Sequence, residues 1–133
     1  MKIITVKAED RLDNLRDDVK NEYRFFIGKY DTKKPVWAKK DKSYRWIVLT
    51  DVFIYLENGP VFLDHINLMI KDIKTLKSIK KEDLIIGSSM LKYYTRKDGT
   101  ISCGFSPMKL QFQKADKEYQ EAYSKLFYDL YYT

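Results

Sequence analysis

The side chains with the clearest chemical potential lie in residues 29–46, K-Y-D-T-K-K-P-V-W-A-K-K-D-K-S-Y-R-W. Seven cations (Lys29, Lys33, Lys34, Lys39, Lys40, Lys42 and Arg45) stand against two carboxylates (Asp31 and Asp41), a local net of +5. The whole chain carries only +6. Tyr30, Trp37, Tyr44 and Trp46 lie among these charges, and they include both tryptophans of the chain. Cations attract phosphates, and flat rings offer surfaces on which unpaired bases stack. The chemistry suggested is recognition rather than bond-making. Lysine-rich loops are also ordinary solvated surface. Trp37 is the residue which that plainer explanation covers least: it either packs back on the domain or stacks on a ligand.

Catalysis and metal binding find little to work with. A single cysteine, Cys103, excludes an intramolecular disulfide and a multi-cysteine metal site, and a single histidine, His65, excludes a histidine cluster. Neither a P-loop nor a G-x-G-x-x-G run is present. Cys103, Ser88, Ser89 and Ser102 lack a base nearby in sequence, and Cys103 reads as a small buried hydrophobe. The expectation is a protein that is not an enzyme and takes no metal or cofactor. Asp64 and His65 are adjacent, and strand alternation sends them to opposite faces, which argues against an acid–base pair. Alternation groups Asp64 with Phe62, Ile66, Leu68 and Ile70, where a carboxylate needs hydrogen-bond partners. His65 falls with Leu63, Asn67 and Met69, either as a satisfied structural histidine or as a contact to a phosphate or base.

These groups need elements to hold them. Residues 3–6 read as a short strand, and residues 9–21 as a helix with Leu12, Leu15 and Val19 on one narrow face. A strand over 22–31 follows, in which Gly28 marks a bulge or bend. Residues 32–43 form a loop. The strongest strand pattern, over 44–56, is apolar on both sides, so either set of alternating residues could face a core, and Trp46 with it. Asn58-Gly59 centres a turn into a strand over 61–70. A short helix over 72–81, a strand over 84–96, a turn at Asp98-Gly99 and a strand over 100–105 complete the sheet, with a resumption over 109–112. Residues 116–132 form an amphipathic helix with Tyr119, Tyr123, Leu126, Phe127, Leu130 and Tyr131 at helical spacing.

Five strands with one helix between the third and fourth resemble the OB-fold barrel over residues 22–113. The fold class expected is therefore mainly β (α+β): a five-stranded OB-fold-like barrel with an N-terminal helix and a C-terminal amphipathic helix, in one domain over 1–133. D-H-I, E-D-L-I-I-G and Y-Y-T-R-K-D-G-T-I-S-C-G-F also resemble the small OB-like accessory proteins of mobile elements and phages. The resemblance implies single-stranded nucleic acid, DNA ahead of RNA, bound across the second and third strands and their flanking loops. The implied contacts are Lys29, Lys33, Lys34, Trp37, Lys39, Lys40, Lys42, Tyr44, Arg45, Trp46, His65, Arg96 and Lys97. An alternative is a subunit or inhibitor that docks on a larger enzyme such as a polymerase, helicase or defence nuclease. It would use Tyr119, Tyr123, Phe127, Tyr128, Tyr131 and Tyr132 of the C-terminal helix.

Composition agrees with a folded, charged-surface protein: 44% apolar and 33% charged over 133 residues. The N-terminus lacks the apolar core of a signal peptide, and no run reaches the roughly 18–20 residues of a membrane span. The expected location is cytoplasmic, without a membrane partner.

Overall fold

A computed structural model describes residues 4–6, 22–32, 36–37, 44–56, 59–71, 73–95 and 97–132. The helix expected over 9–21 lies outside them. In chain order the elements are β1 (Ile4–Val6), β2 (Tyr23–Tyr30), β3 (Val36–Trp37), β4 (Arg45–Leu56), β5 (Gly59–Ile70), α1 (Ile73–Lys77), β6 (Leu84–Thr95), β7 (Ile101–Phe105), β8 (Gln111–Lys114) and α2 (Lys117–Tyr132).

The sheet runs β1-β5-β4-β2-β6-β7, with β3 on β4 and β8 on β6. Every pairing is antiparallel except β1 on β5, which is parallel. The five main strands curl into a half-barrel carrying a C-terminal helix. Its inner face holds the larger core, drawn from Phe26, Ile47, Leu49, Val52, Ile54, Leu63, Ile66, Leu68, Ile85 and Leu91. Leu76 of α1 and Ile79 just after it pack into the same core. The outer face holds a second cluster, in which Ile27, Phe53 and Ile86 meet Tyr123 and Leu126 of α2.

An irregularity in β4 explains why its sequence is apolar on both sides. Ile47 and Leu49 are buried, and so are Val52 and Ile54, all in the inner core. The step from 49 to 52 is three residues, so the alternation changes phase. Asp51 adopts a left-handed φ of 49° at this step. The β2–β4 register slips between Ile27 and Lys29, as the sequence position of Gly28 predicts. A Cβ on Gly28 would lie 2.8 Å from Val52 Cγ2. Before the bulge, Trp46, Val48 and Thr50 point outward. After it, Phe53 and Tyr55 do. β5 shows the same three-residue step between Leu63 and Ile66, flanking Asp64-His65.

Three boundaries differ from expectation. Leu56 pairs with Gly59, so β5 begins at Gly59 rather than at the expected residue 61. Val36–Trp37 pairs antiparallel with Arg45 and Trp46, placing a two-residue strand inside the expected loop. The helix over 72–81 is cut to Ile73–Lys77. The N–H groups of Ser78 and Ile79 donate to carbonyls three residues back, and Glu82 then turns the chain with a φ of 77°. The C-terminal helix starts as its sequence implies: Asp116 Oδ1 accepts from the Tyr119 N–H at 3.1 Å, capping the first turn.

Candidate nucleic-acid interface

The phase change in β4 decides where Trp46 points. It lies on the outer face, 41% exposed, opposite Met69 of β5 and Val36 of β3. Its neighbour Arg45 is half-buried and opposes the backbone of Trp37 on one side and of Ile70 on the other. The two tryptophans therefore occupy adjoining strands within one register step.

Thr32 anchors the start of the basic segment, a role that sequence reasoning missed. The Val48 N–H donates to Thr32 Oγ1 at 2.8 Å, and the Asp31 N–H donates to the Val48 carbonyl at 3.0 Å. A threonine beside a lysine run carries no distinctive signal for this.

Lys29, Thr50 and His65 form one cross-strand row. Lys29 Nζ lies 4.0 Å from Asp51 Oδ2, and both side chains are 40% exposed, so this pair contributes little to stability. His65 Nδ1 lies 3.3 Å from Asp64 Oδ2. This corrects the expectation that the two point apart. The three-residue step in β5 breaks the alternation, leaving Asp64 exposed and His65 half-buried at its side. It also separates Asp64 from Ile66, Leu68 and Ile70, which face the inner core, and His65 from Leu63.

Tyr44 is half-buried, with Lys71 Nζ 5.8 Å from the centre of its ring. Lys71 was not among the expected contacts. The signal for it was available: a hairpin that pairs 45 with 70 sets 44 against 71.

Lys97 is exposed in the turn after β6, far from this group. Leu84 at the start of β6 pairs with Lys29, and Thr95 lies eleven residues further on. At about 3.3 Å per residue that is roughly 36 Å of strand. Lys97 and the Lys29–Trp46 cluster thus sit at opposite ends of β6. Lys33, Lys34, Lys39, Lys40, Lys42 and Arg96 lie outside the described residues.

The expected partner surface divides in two. Tyr123 is 6% exposed, and Phe127 packs edge-on against Phe53, Phe62 and Tyr123, so both belong to the α2–sheet contact. Tyr119, Tyr128 and Tyr131 are exposed. Among the described residues, no group of three or more His, Cys, Asp or Glu is placed to hold a metal ion. No described helix is long and apolar enough to cross a membrane. No family model, curated protein or solved structure matches the chain.

Proposed function

We propose that this protein is a non-catalytic accessory binder of single-stranded nucleic acid in DNA replication or in mobile-element or phage biology. The observation that carries this reading is the outward, exposed placement of Trp46 beside the backbone of Trp37 and the half-buried Arg45, where the basic segment joins β4. Lys29 and His65 lie on the same outer face, offering a cation and a polar ring alongside an aromatic one. The strand order β5-β4-β2-β6-β7, with α1 between β5 and β6, is compatible with a partly open OB barrel whose second and third strands are β4 and β5. Such a surface would track phosphates with lysines and stack bases on rings, tolerating many sequences.

The test is titration of a ten-nucleotide single strand at low salt, followed by tryptophan fluorescence. Saturable quenching that weakens steeply with added salt is expected. An unchanged spectrum at low salt would remove the proposal. The exposed Tyr119, Tyr128 and Tyr131 on α2 favour a second reading, a protein-docking helix. Replacing all three with serine should spare oligonucleotide binding under the first reading and abolish capture of the partner enzyme under the second.

A further inference from the structure

A cleft of about 330 Å³ opens beside the start of β4, its lining including Tyr44, Ile70, Lys71, Met108, Leu110 and Phe112. It lies between the end of β5 and the turn that joins β7 to β8. Two rings, Tyr44 and Phe112, and the Met108 thioether give it apolar, polarisable walls. Lys71 gives it a cation, held near the Tyr44 ring and exposed to solvent. Its volume lies at the small end of the range for ligand pockets, roughly 300–1,000 Å³, suited to one nucleotide rather than a folded partner.

The geometry points to this cleft as a single-nucleotide subsite: one base of the bound strand unstacks and enters between Tyr44, Met108 and Phe112, and its phosphate pairs with Lys71. The inference rests on the nucleic-acid reading above and deepens it. Tyr44 directly precedes Arg45 and Trp46, so the cleft adjoins the Trp46 end of β4. Its floor of Ile70, Leu110 and Phe112 belongs to the inner-core side, so a strand on the outer face near Trp46 turns over the end of the sheet to enter it. An aromatic and apolar wall accepts any base by its face, and an ammonium accepts any phosphate, so the subsite selects for a flipped nucleotide rather than for a particular sequence. An uncharged apolar peptide would leave the Lys71 charge without a partner.

The test uses the full chain and three variants: Lys71→Gln, Met108→Glu and, as a control on the exposed face of α2, Lys125→Glu. Lys71 and Met108 (82% exposed) stand outside the core, so neither change should threaten the fold. Affinity for a ten-nucleotide strand should fall about five- to tenfold in both cleft variants. The control loses about twofold or less. Lys71→Gln should also lower the slope of log affinity against log salt by about 0.7, the share of one phosphate contact on a single strand. In a second arm, thymidine 5′-monophosphate should shift the Met108 methyl resonance saturably, and inorganic phosphate alone should not. If the strand binds and quenches Trp46 but the cleft variants match the control, the subsite is wrong while the nucleic-acid reading stands. A methyl shift with inorganic phosphate alone would likewise overturn the base-binding role. Loss of all strand binding by the wild type would end both.

Discussion

The Tyr123 hydroxyl donates to the backbone carbonyl of Asp51 at 2.5 Å, joining α2 to the residue where β4 changes phase. Asp51 holds a φ of 49°, a conformation that costs a non-glycine residue roughly 1 kcal/mol. The helix thus ties down the strained point of the sheet, 72 positions away in sequence. Tyr123→Phe should destabilise the fold by about 1 kcal/mol in urea unfolding, through loss of this bond with little change in packing. An unchanged midpoint would mean that the contact carries no weight.

The same tyrosine predicts a pH dependence. Burial pushes its hydroxyl well above the usual value of 10, and the Asp51 and Glu82 carboxylates push it the same way. Burial also raises Tyr30 and Tyr55. A raised folded-state pKa means that the unfolded chain loses its proton first. Stability is then complete below pH 10 and declines as pH rises past it. Unfolding midpoints measured between pH 8 and 11 should drop above 10, and the drop should be shallower in Tyr123→Phe. An identical slope in both proteins would contradict the assignment.

Gly87 faces the inner core where β6 carries β2 on one side and β8 on the other. A Cβ there would meet the Phe26 ring and stand 2.6 Å from the Gln111 carbonyl oxygen. Backbone cannot yield as a flexible side chain can. Gly87→Ala should therefore cost about 1–3 kcal/mol, the range for overpacking, and loosen β8 first. Hydrogen exchange at residues 111–114 would register this. A midpoint within error of wild type would show that the sheet relaxes freely.

The main strands along the chain and the C-terminal helix were legible because hairpins, β-branched runs and the amphipathic spacing of α2 are local signals. The orientation of Trp46 was not. It depends on a bulge, and a bulge moves every later side chain to the other face while leaving composition unchanged. Asp64-His65 shows the same blindness: alternation separates the two, yet the kink in β5 brings them to 3.3 Å. Lys71 was overlooked because it lies outside the charged run and joins Tyr44 only through pairing of β4 with β5. The burial of Tyr123 and Phe127 followed from helical spacing, but nothing in that spacing separated core from docking surface.

Cys103 is 2% exposed, within the inner core on β7. It should resist a thiol reagent such as dithionitrobenzoate in the native state and react at once in denaturant. Because reaction requires opening of the β6–β7 edge, its rate reports local unfolding. Rapid modification of the native protein would place that edge among the least stable parts of the fold.

Trp46 offers the sharpest separation of function from stability. It stands on the outer face, away from the inner core and from the cluster beneath α2, so its removal opens no interior cavity. Trp46→Ala should cost roughly 1 kcal/mol of unfolding free energy in urea, less than the truncation of a core residue. It should weaken binding of a single strand by about 1–3 kcal/mol, the usual worth of one base stacked on an aromatic ring. Phase matters to this result. Ile47→Ala, one residue along, faces the inner core and should cost roughly 2–5 kcal/mol of stability. Its remaining folded fraction should keep wild-type affinity. If Trp46→Ala instead unfolds the protein, the ring is structural. If it folds and binds normally, the stacking surface lies elsewhere.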